Sequence, residues 1–217
     1  MNRSIRPSLE AQELSFGYSS GSSLLDNWSA SFYPGTITAL TGSSGRGKST
    51  LLYLLGLMLT PSAGEILVEQ QSVSYRSDAE KAWLRAHRFG FVFQDAALDI
   101  TRSVMDNVTE TALYRGEPRK ASASRALDLL DRFEVDVHPS RKPSQVSGGQ
   151  AQRIALCRAL LFQPSIVLAD EPTGNLDPAS SKIVIGALRE HADSGGTVLI
   201  VTHSPEIASG CDNEIVL

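Results

Sequence analysis

The segment Gly42-Ser43-Ser44-Gly45-Arg46-Gly47-Lys48-Ser49-Thr50 satisfies the pattern G-x-x-x-x-G-K-[ST]. It follows the apolar, strand-like run Thr36 to Leu40 and opens a helical pattern, Lys48 to Leu59. A strand, a glycine loop and a helix in this order restrict the chain to an α/β architecture. The glycines let backbone N–H groups fold around phosphate oxygens, and the helix adds its positive end. In such a loop Lys48 reaches the β and γ phosphates and Ser49 places its hydroxyl on Mg²⁺. A Gly/Ser turn with a surface lysine is the plain alternative, and the flanking strand and helix count against it.

The rest of the chain repeats the alternation. Strand-like runs lie at Glu65 to Glu69, Phe89 to Phe93, Ile166 to Ala169, Thr197 to Val201 and Glu214 to Leu217. Helical patterns lie at Ala79 to Arg88, Lys120 to Phe133, Gly149 to Leu161 and Pro178 to His191, the last with a proline suited to a first turn. Short strands separated by helices imply a mostly parallel sheet with ligands at the carboxyl ends of its strands. Asp95 to about Ser144 carries helical patterns and loops without a convincing strand. The expected organisation is a single domain over 1–217 with a helical lobe inserted at about 95–160.

Charge and cysteine content remove several classes. With 20 Lys+Arg against 24 Asp+Glu the formal charge is -4, which lacks the basic footprint of a sequence-independent nucleic-acid binder. No nucleic-acid partner is expected. Cys157 and Cys211 form no C-x-x-C pair, so neither a disulfide framework nor a zinc site is expected. The N-terminus has no apolar core of a signal peptide, and the longest apolar run, Leu51 to Leu59, is too short to cross a bilayer. The expected place of work is the cytosol, unless a partner carries the chain to a surface.

A second chemical feature is Ser165-Ile166-Val167-Leu168-Ala169-Asp170-Glu171, an apolar strand ending in two carboxylates. Beside a phosphate loop, Asp170 has the role of holding Mg²⁺ through water. Glu171 then points toward the γ-phosphate as the candidate general base for an attacking water. In isolation, two surface acids at a strand end are the commoner explanation.

The segment Val146-Ser147-Gly148-Gly149-Gln150, followed by a helix and then the acidic strand, resembles the signature motif of ATP-binding cassette (ABC) ATPases. The usual form is Leu-Ser-Gly-Gly-Gln, from which Val146 departs. Other marks of that family fall in order along the chain. Tyr18 in LSFGY matches the aromatic residue that stacks on adenine, and Gln94 after FGFVF matches the glutamine that senses Mg²⁺. Asn175-Leu176-Asp177 matches the loop that crosses to the other subunit, and His203 after TVLIVT matches the switch histidine on the γ-phosphate. LADEPTGNLD together with FGFVFQ looks like the subgroup of lipoprotein-releasing (LolD), macrolide-exporting (MacB) and cell-division (FtsE) ATPases. Two departures stand out. Asp95-Ala96-Ala97-Leu98-Asp99 lacks the Leu-Leu-Pro run of that subgroup, and Ser204 stands where an Asp commonly follows the histidine.

The resemblance implies a P-loop NTPase (RecA-like) core with a mostly parallel sheet, an N-terminal antiparallel β-subdomain and an inserted helical subdomain. It also implies two copies closed head to tail around two ATP molecules. Each site would combine Tyr18, Gly42 to Thr50, Gln94, Asp170, Glu171 and His203 of one copy with Ser147 to Gln150, and Asp177, of the other. Catalysis would rest on Glu171, His203 and Lys48, with Mg²⁺ held by Ser49, Gln94 and Asp170. The partners implied are integral membrane permease subunits, and the place is the cytoplasmic face of the membrane. A soluble ABC ATPase without a membrane partner is the alternative. It is disfavoured because such proteins generally carry two cassettes or long coiled-coil insertions in one chain. A P-loop kinase or GTPase would leave the SGGQ turn and His203 unexplained.

Overall fold

The computed structural model describes residues 6–18 and 23–217. Strand β3 (Thr36–Thr41) leads through the glycine loop into helix α1 (Lys48–Leu55), as the sequence pattern requires. The helix is shorter than its apolar pattern because Gly56 caps it, donating to Leu52 O, and Leu57 turns left-handed at φ 59°. The apolar residues Leu57 to Leu59 therefore lie beyond the helix.

Three further strands pair in parallel with β3 or with one another: β6 (Phe89–Val92), β7 (Ile166–Asp170) and β8 (Thr197–Val201). With β9 (Asn213–Val216) they form a five-stranded sheet of order β6-β7-β8-β3-β9. Every residue of β7 and β8 is buried, which is why these strands read as continuous apolar runs and not as alternating ones. Alternate side chains still serve two cores. Val167, Ala169, Val198 and Ile200 face the layer of helices α6 (Gly148–Leu160) and α7 (Pro178–Asp193). Ile166, Leu168, Leu199 and Val201 face α1, whose Leu51, Leu52, Leu54 and Leu55 are all buried.

Beyond α1 lies a second sheet, antiparallel, of order β2-β1-β4-β5. Its strands are β1 (Leu9–Phe16), β2 (Leu25–Phe32), β4 (Ala63–Val68) and the two-residue β5 (Gln71–Ser72). The run Glu65 to Glu69 thus belongs to this antiparallel layer and not to the parallel sheet. Strands β1 and β2 are absent from the periodicity reading for a physical reason. Each contains a non-glycine residue at positive φ, Glu13 at 51° and Asn27 at 50°, and the register between them shifts there. Such bulges break the period-two alternation that marks a half-buried strand.

Helix α2 (Asp78–Arg88) starts at a capping box in which Ser77 Oγ accepts from Glu80 N and the Glu80 carboxylate accepts from Ser77 N. Between β6 and β7 the described structure is helical: α3 (Val104–Val108), α4 (Glu110–Arg115), α5 (Arg119–Arg132), a 3₁₀ turn at Pro143–Gln145, and α6. A short helix, α8 (Pro205–Ser209), joins β8 to β9.

Candidate functional site

In a parallel sheet all carboxyl ends lie at one edge, and here four neighbouring strands deliver chemistry to it. Gln94 follows β6, Asp170 ends β7, His203 follows β8, and Gly42 follows β3. Val201 is in register with both Leu40 and Asp170, so these ends are level. The result is a cleft of about 620 Å³ lined by Tyr18, Ser44, Gly45, Gly47, Lys48, Ser49, Thr50, Gln94, Glu171 and His203.

The loop closes on itself through Lys48, which is 5% exposed and donates from Nζ to Gly42 O at 2.9 Å and Ser43 O at 3.0 Å. The ammonium is thereby held at the mouth of the loop. Gly47, the N-cap of α1, has φ 87°, and a Cβ there would press into the Leu24 side chain at 2.7 Å. Gly42 has φ 131°, and its Cβ would collide with Leu217 O. Both positions need glycine on two counts, conformation and space. Arg46 is exposed, with Nε 3.4 Å from Ser43 Oγ, and lies outside the cleft lining.

Asp170, at 6% exposure, sits beneath the loop. Ser49 Oγ donates to its Oδ1 at 3.1 Å, and Tyr53 Oη donates to its Oδ2 at 3.2 Å. Burial first, and then the Asp170 carboxylate, raise the Tyr53 pKa above the usual phenol value. Tyr53 escaped the motif reading, although its signal was present: Ser49 and Tyr53 are four apart on α1 and therefore share a face.

Glu171 takes a left-handed backbone, φ 44°, as the chain leaves β7. Its Oε2 accepts from the His203 backbone N–H at 3.4 Å, and its Oε1 lies 3.5 Å from His203 Nε2. Oε1 is buried and has no hydrogen-bond partner, an oxygen available to a polar group in the cleft. Tyr18 is 57% exposed, packs edge-on against Phe16 with ring centroids 5.1 Å apart, and its hydroxyl is 3.4 Å from Thr50 Oγ1. An exposed ring beside the loop is a stacking platform.

Ser147 to Gln150 do not line this cleft, although Gly148 shares a smaller cavity of about 170 Å³ with Gln94. Ser147 caps α6: its Oγ accepts from Gln150 N at 3.2 Å, and Gln150 Oε1 accepts from Ser147 N at 2.9 Å. Ser147 and Gly148 are exposed and present the helix start to the outside. Asp177 is likewise exposed and caps α7, accepting from Ser180 N at 2.9 Å. That backbone hydrogen bond is the first cause of an Asp177 pKa below the usual carboxylate range. The two helix starts are tied together, since Arg153 Nη1 donates to Ser180 Oγ at 2.7 Å.

A separate, apolar cavity of about 650 Å³ opens between α2, β6 and α4, with Trp83, Phe89, Phe91 and Tyr114 on its walls and Arg158 and Glu110 among its polar groups. Among the described residues no helix is long and apolar enough to cross a membrane. Nor do three or more His, Cys, Asp or Glu side chains gather into a metal cluster among them.

Known proteins share this geometry. The sequence profile described as "ABC transporter" matches residues 25–174. The lipoprotein-releasing system ATP-binding protein LolD of Myxococcus xanthus is 43% identical over 175 residues, 80% of this chain and 78% of that protein. The macrolide export ATP-binding/permease protein MacB of Nitrosomonas europaea is 45% identical over 175 residues, but the matched part is 27% of that longer chain. Among solved structures, a dimeric post-hydrolysis ATP-binding cassette bound to ADP and Pi superposes with a TM-score of 0.87 at 30% identity, covering 96% of this chain and 94% of the other. With the profile spanning most of the sequence, and relatives aligned along four fifths of it, the chain belongs to the ABC transporter family.

Proposed function

We propose that the chain is the ATP-binding and ATP-hydrolysing subunit of a membrane complex that exports or extracts a lipoprotein-, peptide- or drug-type substrate, or transmits force across the membrane. One observation carries the reading. Lys48, Ser49, Gln94, Glu171 and His203 line one cleft at level strand ends, while Ser147 and Gly148 are exposed at the start of α6, where a second copy can be met. Names of the relatives supply the membrane context, since MacB joins ATP-binding and permease parts in one chain. In this reading residues 1–217 form a single nucleotide-binding domain with a helical subdomain at about 95–160. It sits peripherally at the cytoplasmic face of the membrane.

The phosphates of ATP replace the loop carbonyls as partners of Lys48, and the backbone N–H groups of Ser44 to Ser49 surround them. Tyr18 offers its exposed face to adenine. Ser49, Asp170 and Gln94 each carry a side-chain oxygen, a set that fits Mg²⁺. They would hold the ion, whose charge neutralises the β and γ oxygens when bound. Glu171 takes a proton from the attacking water at its unpartnered Oε1. His203 orients that carboxylate through its backbone N–H and faces the γ-phosphate with its ring. Ser147 to Gln150 of a second copy complete the donors around the γ-phosphate and exclude water. Hydrolysis is therefore gated by closure of two copies.

The test is Glu171→Gln. Turnover is expected to fall by about 10²- to 10⁴-fold, the usual worth of a general base, with ATP binding retained. Light scattering of the variant with ATP is expected to show a dimer that ADP does not support. A variant that hydrolyses ATP at the wild-type rate removes Glu171 as the base, and a monomer at saturating ATP removes the shared site.

A further inference from the structure

We infer that Arg158, at the far end of α6 from Ser147, is a positioning residue that sets the loop carrying Gln94. The inference rests on the assignment of Gln94 to the nucleotide cleft given above. Arg158 is 8% exposed, and its guanidinium fork donates to two successive carbonyls, Nη2 to Ala96 O at 2.8 Å and Nη1 to Ala97 O at 2.7 Å. Those two residues are left-handed, with φ of 57° and 48°. A Cβ makes that conformation unfavourable, so two in succession without glycine are stabilised by any external hold. The fork contributes one, because its two nitrogens meet the two carbonyls in a fixed plane, a geometry that an ammonium on a flexible stem does not impose.

The hold is doubled. Six residues earlier on the same helix, buried Gln152 donates from Nε2 to Phe93 O at 2.9 Å. Gln94 thus sits between two attachments to α6, the helix whose start carries Ser147. The departure from the subgroup's usual run, Asp95 to Asp99, falls on the segment Arg158 holds.

Arg158 also has a second neighbour. Its Nη1 is 3.7 Å from Glu110 Oε2, while Glu110 Oε1 pairs with Arg102 at 3.3 Å and accepts from Tyr114 Oη at 3.3 Å. Ala97, Glu110, Tyr114 and Arg158 all line the apolar cavity of about 650 Å³. A group that enters this cavity and draws Glu110 toward itself alters the hold on Ala96 and Ala97, and so the place of Gln94. The route consists of direct contacts throughout.

The experiment compares wild type, Arg158→Lys, the pair Ala96→Gly and Ala97→Gly, and the triple variant, all as full chains. Two readouts are taken: hydrogen exchange of the Ala96 and Ala97 amides without nucleotide, and kcat and KM for ATP. These amides are bonded to Phe93 O and Asp95 O, so loss of the loop conformation registers as faster exchange. Arg158→Lys is expected to speed that exchange and lower kcat about tenfold with KM within about twofold. The glycine pair alone leaves kcat within about twofold of wild type. Added to Arg158→Lys, it restores most of kcat, because glycine adopts the left-handed conformation without help. Unchanged exchange in Arg158→Lys overturns the hold. A loss of kcat that glycine does not repair shows a packing defect and overturns the positioning role, as does faster exchange with unchanged kcat. A wild-type chain that neither binds nor hydrolyses ATP overturns the proposed function instead, and amide exchange still decides whether Arg158 holds the loop.

Discussion

Lys48 shows how one residue's neighbourhood converts into an expectation. Its ammonium already spans two loop carbonyls on a nearly buried side chain that lines the cleft, so it meets a phosphate without a large rearrangement. Lys48→Ala is expected to weaken ATP binding about 10- to 100-fold, matching the roughly 1.5–3 kcal/mol of hydrogen bonds to a charged group. Equilibrium binding of a fluorescent ATP analogue measures this, and an unchanged affinity removes the contact. Residues of this kind were legible because phosphate loops demand fixed residue types at fixed spacing. For Tyr53 the sequence shows only that it shares a helix face with Ser49; its partner Asp170, 117 residues distant, is brought within 3.2 Å by the fold. Arg158 was hidden for the same reason: its partners are carbonyls, and a backbone acceptor leaves no mark in a side-chain pattern.

At the scale of elements, strands buried on both faces announced themselves as apolar runs, and helix α7 began at Pro178, as its first-turn proline indicated. The bulged strands β1 and β2 did not, because a left-handed residue at Glu13 or Asn27 inverts the alternation midway. Helix α7 offers a prediction at this scale. Near its C-terminus His191 is partly buried, with Nε2 unpartnered and packed against Gly196, and Arg125, Arg132 and Glu190 line the adjoining cavity. Burial lowers its pKa below the usual imidazole value. The unfolded chain therefore takes up the proton first. The stability contributed by neutral His191 is complete above the unfolded pKa of about 6.5 and is lost as pH falls through the lower folded value. The unfolding midpoint is expected to drop on acidification across that window, and His191→Gln to flatten the slope. Equal slopes in both proteins would assign the effect to other groups.

For the whole molecule, the cleft and the Ser147 turn are separate surfaces of one chain, and the proposed function joins them only between copies. A mixing experiment follows from that geometry. Ser147→Arg and Lys48→Ala are each expected to abolish most turnover alone, by damaging opposite halves of both sites in a dimer. Mixed in equal amounts, half of the dimers regain one sound site out of two, so activity returns to at most about a quarter of wild type. Absence of recovery would mean that each chain works with its own turn.

Helix α6 is also a rigid rod of 13 residues, about 20 Å long at 1.5 Å per residue. Ser147 lies at one tip and Arg158 near the other. Pivoting the rod about its Ser147 end by about 10° would carry the opposite tip roughly 3.5 Å, about the breadth of a methyl group. A displacement of that size would change the shape of the crevice walled by Trp83 and Tyr114, to which Arg158 and Ala159 of α6 contribute. If nucleotide tilts α6, a dye attached at the rim of that crevice would report occupancy from the opposite end of the lever, and an unchanged signal on adding ATP would exclude such a tilt.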